Sequence, residues 1–199
     1  MNFNITNPTF NVVFYLIILY FSVLYAVLCF FAIRRFYRAS EKRKLSQSEK
    51  QKTAARVKIH TFGNFDVFID GKLAVFTKSK AKELLAYLID RNGASVSSAE
   101  IGAVLWEDET DSFALKDRVQ HVKKDLRDIL AKYGVKEILI SGWNSLAVDK
   151  TKVLCDYYEL LNGDTEAQKS YLGEYMTNYS WSEETAGAIT SLLQKNNEN

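Results

Sequence analysis

The hydrophobic pattern splits the chain into one unbroken apolar run and a long tract in which the period keeps changing. Residues 12–33 pass 22 positions without a charge, and Arg34-Arg35 follow at once. At about 1.5 Å per residue this run makes about 33 Å of helix, enough to cross a bilayer. From residue 57 onward the pattern becomes that of short elements. Phe65, Val67 and Ile69 alternate onto one face of a strand region over 57–69, interrupted at Gly63. Asp70-Gly71 is a strong two-residue hairpin turn, and residues 73–76 form the return strand. Ala81, Leu84, Leu85 and Leu88 then recur at helical spacing, and Asn92-Gly93 stops that helix. Ser97 and Glu100 form a capping box ahead of Ile101, Val104 and Leu105. A third helix starts near Asp111-Ser112, buries Leu115, Val119, Val122, Leu126, Ile129 and Tyr133, and ends at Gly134. Residues 138–140 and 146–148 flank Ser141-Gly142-Trp143-Asn144-Ser145 as a second hairpin.

Strands, three helices and a closing hairpin predict an α+β fold, a winged helix-turn-helix. It has an N-terminal antiparallel sheet, a three-helix core and a C-terminal β-hairpin wing. A single transmembrane helix precedes it. The expected organisation is an external N-terminus over residues 1–11, a membrane helix over 12–33 and a linker over 34–56. The winged helix then covers 57–149 and a helical tail 150–199. A cleaved signal peptide is the competing assignment for 12–33, but it wants a positive n-region, and residues 1–11 carry no charge. A buried core helix is the other.

Charge gives the run an orientation. Arg34, Arg35, Arg38, Lys42, Arg43 and Lys44 lie on its C-terminal side. Basic flanks stay cytoplasmic, so the N-terminus faces out and the rest of the chain faces the cytoplasm from a single-pass inner (cell) membrane anchor. The same side chains are suited to anionic headgroups of the lipid bilayer. Residues 34–56 hold nine Lys/Arg against Glu41 and Glu49, whereas the remainder holds 17 Lys/Arg against 22 Asp/Glu. Bulk charge therefore does not announce a nucleic-acid binder, and any such surface must be local. Cys29 and Cys155 are too far apart in role to form a disulfide framework.

Specific residues then carry a resemblance. Thr61-Phe62-Gly63-Asn64-Phe65 with Asp70-Gly71, the stretch from Lys78-Ser79-Lys80 to Leu88, and Leu105-Trp106 resemble the OmpR/PhoB-type winged-helix effector domain. The variant is that of antibiotic-regulatory activators and related response regulators. Cys155-Asp156-Tyr157-Tyr158, Leu172-Gly173-Glu174-Tyr175-Met176 and Tyr179-Ser180-Trp181-Ser182-Glu183 are similar to the start of a bacterial transcriptional activation domain, which implies a C-terminal helical hairpin. The resemblance implies that the third helix enters the major groove of double-stranded DNA and that the wing touches a neighbouring groove or the backbone. Two features depart from it. A membrane run stands where relatives carry a receiver domain, and the third helix carries Asp117, Asp125 and Asp128.

On the helical wheel Lys116, Gln120, Lys123 and Arg127 form one stripe, with Lys124 at its edge, opposite Asp117, His121, Asp125 and Asp128. Gln bonds an adenine edge, and Arg or Lys a guanine edge or a phosphate. The same residues also suit a solvated face of mixed charge. Trp143 and Asn144 at the wing tip either meet DNA or a protein, or fold back onto the body. Lys78, Ser79, Lys80 and Lys82 open the first helix, where phosphate or plain solvation fits. The run Glu107-Asp108-Glu109 with Asp111 falls where the resemblance implies contact with RNA polymerase or another partner; a solvated loop fits equally.

No cofactor or metal is expected: His60 and His121 lack partners at ligand spacing, and the acidic run lacks the pattern of a calcium loop. No P-loop, nucleophile elbow or catalytic pair is present, so an enzyme is not expected. Two functions remain open. One is a membrane-anchored transcriptional regulator whose input comes from another membrane protein. The other is a membrane-tethered interaction module on a winged-helix scaffold without sequence-specific DNA binding. In that case the tail aromatics Tyr157, Tyr158, Tyr171 and Trp181 present a partner surface, or simply pack the tail down.

Overall fold

The computed structural model describes residues 18–19, 21, 24–25, 29–30, 33–35, 55–108 and 112–197. It divides into two units, Met1–Ala54 and Ala55–Asn199. In the first, the described residues are helical, Arg34 and Arg35 among them. Most of the apolar run, the external N-terminus, Arg38 and nearly all of the linker lie outside the described residues. No helix among the described residues is long and apolar enough to cross a membrane.

The second unit opens with β1 (Val57–His60), β2 (Asp66–Ile69) and β3 (Lys72–Leu73). Asp70 and Gly71 take φ of 50° and 78°, the positive pair that a two-residue turn matching the strand twist requires. Alternation buries Val57, Ile59, Val67 and Ile69 on one face. Helix α1 (Ser79–Asp90) is buried more completely than an amphipathic stripe predicts, with every residue from Leu84 to Ile89 inside. It is the central helix, with α3 packed on it and the C-terminal tail on another side.

Two strands escape the sequence pattern. β4 (Val96–Ser97) pairs antiparallel with β6 (Ser145–Val148), which also pairs with β5 (Leu139–Ser141), so the wing belongs to a three-stranded sheet. β7 (Val153–Cys155) lies parallel to β1 and completes a four-stranded sheet of order β3-β2-β1-β7. The expected antiparallel N-terminal sheet is thus mixed. Its fourth strand comes from the segment read as tail, because three apolar residues are too few to show a period.

Helix α2 (Ser98–Leu105) is capped by Ser97, whose side chain accepts from the Glu100 amide at 3.1 Å. Glu100 itself accepts from the Tyr87 hydroxyl at 2.9 Å. Helix α3 (Ser112–Lys132) ends where Gly134 adopts φ 66° and the Val135 amide returns to the Leu130 carbonyl. That is the left-handed helix stop. The tail then forms α4 (Asp156–Leu161), α5 (Thr165–Ser170) and α6 (Glu183–Asn197).

The tail is fastened, not appended. Asp156 accepts from the Thr61 amide at 2.9 Å, the Thr61 hydroxyl at 2.6 Å and the Tyr157 amide at 2.8 Å. The Met176 amide donates to the Thr61 carbonyl and the Thr177 amide to the Gly63 carbonyl. Tyr157, Tyr158, Tyr171, Tyr175 and Met176 are buried, and Trp181 sits edge-on against Tyr87 of α1. The tail aromatics therefore pack inward; they do not present a partner surface.

Candidate nucleic-acid interface

Helix α3 buries Val119, Val122, Lys123, Leu126, Ile129 and Leu130. At about 100° per residue, the direction opposite this set is occupied by Asp117, His121, Lys124 and Asp128. Those four pair among themselves. His121 Nδ1 lies 3.3 Å from Asp117 Oδ2, and Lys124 Nζ lies 2.6 Å from Asp128 Oδ2. The pairing raises the Lys124 ammonium above its ordinary value and occupies it. The outermost ridge of α3 thus carries two carboxylates to one lysine.

The expected basic stripe lies on the shoulder of the helix and is broken. Lys116 and Gln120 are exposed, and Arg127 is half-buried. Lys123 is only 3% exposed, which corrects its assignment as a DNA-facing side chain. Its neighbours on the wheel are Val119 and Leu126, and its ammonium turns inward to donate to Ser98 Oγ at 3.0 Å. Burial pushes the Lys123 pKa down, and nearby Arg127 pushes it further the same way. An apolar-flanked lysine reads as surface in sequence because its stem length hides where its head goes.

The wing tip meets this shoulder. The Asn144 carbonyl accepts from the Ser98 amide at 2.9 Å and from Ser98 Oγ at 3.3 Å. One serine at the start of α2 therefore joins the wing tip to α3. Asn144 is exposed, and Trp143 is fully exposed, so the indole does not fold back onto the body. Exposed Ile140 lies on the same hairpin. The wing tip is thus tied through Ser98 to Lys123, which borders Lys116 and Arg127 on the helical wheel.

A second surface adjoins α3 on its other side. A shallow groove of about 330 Å³ is lined by Lys78, Ser79 and Lys80 of the α1 start, by Arg118 and His121 of α3, and by Trp106. Arg118 escaped the sequence reading because it falls outside the expected stripe. Not all the lysines of the α1 start are available. Lys80 donates to the Leu105 carbonyl at 2.7 Å and pairs with Glu83 at 2.8 Å, and Lys82 pairs with Asp66 at 3.3 Å. Glu107 and Asp108 are exposed, while Glu109 and Asp111 lie outside the described residues.

No family model matches the chain, and no curated protein matches it in sequence. The solved structure of Mycobacterium tuberculosis EmbR in complex with a low-affinity phosphopeptide is similar to it, with a TM-score of 0.51 at 18% identity. The match covers 68% of this chain and 42% of that one, so this chain spans less than half of that protein's length. The likeness is one of fold: an α+β arrangement of mixed sheets and helices like the winged-helix region of EmbR.

Proposed function

We propose that this chain is a transcriptional regulator held at the cell membrane, with its winged helix-turn-helix binding promoter DNA from the cytoplasmic side. The observation that carries the reading is the link between wing tip and α3. Lys116, Gln120 and Arg127 supply groups suited to base edges and phosphates, and the hairpin tip with exposed Trp143 is tied to the same helix through Asn144, Ser98 and Lys123. The winged-helix likeness to EmbR supports the same assignment at the level of fold. The uncharged run over 12–33 and its basic flank support the anchor and its orientation.

Phe113 and the acidic ridge of Asp117, His121, Lys124 and Asp128 favour a second reading, a protein-interaction module. A ridge with two aspartates pointing outward repels phosphate and suits a polar partner instead.

The test is a selection of genomic fragments by the full chain in mild detergent, at low and high salt, beside a Lys116→Ala/Arg127→Ala variant. A shared sequence enriched by the wild type and lost in the variant is the expected result. Binding without preference, or none by a folded chain, would leave the interaction module.

A further inference from the structure

A lysine that is 3% exposed on an otherwise solvated helix shoulder needs a reason to be a lysine. Burying an ammonium costs stability unless it is hydrogen-bonded, and an apolar residue of similar length would fill the space between Val119 and Leu126 more cheaply. What the ammonium has here is Ser98 Oγ at 3.0 Å, and what Ser98 has is the Asn144 carbonyl, reached by both its amide and its hydroxyl. The register reinforces the junction. Ser97 pairs with Ser145 across β4 and β6, so the residues on either side of the link are also held by the sheet. Ser98 lies where β4 becomes α2, between the wing and α3.

We infer that Lys123 is a positioning residue: through Ser98 it fixes the wing tip, and with it Trp143, at a set distance from the exposed shoulder of α3. The inference rests on the DNA-binding reading for its consequence, though not for its geometry. A winged helix reads two places at once, and the spacing between them decides which DNA shape accepts both. A hairpin free to swing would pay for ordering on each encounter. Lys123 removes that freedom in advance, contributing to DNA binding without touching it. Arg127, its charged neighbour on the same helix, remains half-exposed and free to meet phosphate.

The experiment compares the full chain in detergent with Lys123→Met, Ser98→Ala and Ser98→Thr. The readouts are amide hydrogen exchange and DNA affinity across a salt series. Met keeps the stem and drops the ammonium. Ala removes the ammonium's hydroxyl partner with the smallest change of volume, Thr restores the hydroxyl, and circular dichroism checks that each variant is folded. Expected in both Met and Ala variants is about tenfold faster exchange at the Ser98 and Gly142 amides, the value of one lost hydrogen bond. Specific affinity falls about tenfold while the slope of affinity against salt stays as in the wild type, and Thr behaves as wild type.

A slope reduced by about 0.9 with unchanged exchange would make Lys123 a direct phosphate contact and overturn the inference. Unchanged exchange with unchanged affinity would overturn it as well. A wild type with no sequence preference sinks the DNA-binding reading alone, since the exchange comparison is made without DNA.

Discussion

Single side chains that join the tail to the winged helix carry more than their share of the stability. Asp156 receives the Thr61 amide and hydroxyl and the Tyr157 amide, so its removal strands three donors at a half-buried joint. Asp156→Ala is expected to cost about 3 kcal/mol, read from the denaturant midpoint, and Asp156→Asn clearly less, since one carbonyl oxygen remains. Asp90 makes the companion joint: Tyr175 Oη donates to it at 3.0 Å. Burial raises the Asp90 carboxyl above its ordinary value, while the hydrogen bonds from Thr185 and Tyr175 and the charge of Arg91 pull it down and Glu184 pushes it up. The native state therefore favours the protonated form. That contribution is full below the unfolded carboxylate value of about 4 and is lost as pH rises through the raised native one. Measured against Asp90→Asn, the wild type should lose relative stability as pH rises above about 4; a constant difference would refute the assignment. Such joints were invisible in sequence because each links residues about a hundred positions apart. Lys123 shows the same blindness: spacing placed it on the correct helix and close to the correct side, but the direction of its ammonium depends on Ser98.

At the level of elements the sequence was most legible where a period or a stop signal ran long enough. α3 was located to within a residue at its start, and Gly134 ended it as expected, because its apolar stripe from Leu115 to Tyr133 runs for about five helical turns and its stop needs positive φ. β4 and β7 were missed. Two and three residues carry no alternation, and their pairing is set by β6 and β1, which supply the partners. Element boundaries can be tested by their caps. Gly134→Ala leaves open space around the new methyl, so its cost is the left-handed backbone alone, about 1 kcal/mol in thermal or denaturant unfolding. The wing offers a sharper contrast. Trp143 is fully exposed, so Trp143→Ala should change stability by less than about 0.5 kcal/mol. The same substitution should weaken specific DNA binding several-fold in a fluorescence-anisotropy titration. An unfolded variant, or unchanged affinity, would remove the wing tip from the interface.

Over the whole molecule, two solutions to burial meet in one chain. Ala55–Asn199 closes its own core, with the tail's tyrosines and Met176 completing it around α1. The uncharged run over 12–33 is the segment proposed to lie in lipid. Between them stand the cations of 34–56, ending in Arg56. That guanidinium grips Asp70 in a bidentate pair at 3.0 and 2.9 Å and donates to the Gly134 carbonyl at the end of α3. Arg56 thus sits beside the end of the helix proposed to read DNA. Because Ala55–Asn199 is a compact unit with its own core, deletion of residues 2–33 should leave folding and sequence preference unchanged. It should move the protein from the membrane fraction to the soluble one. Tethering then acts only on where DNA can be met: in cells, occupancy should spread from loci able to approach the membrane to every copy of the site, as mapped by crosslinking and sequencing. A deleted chain that still sediments with membranes would refute the anchor. One that is soluble but has lost its preferred sequence would show instead that the membrane segment helps build the DNA-binding state.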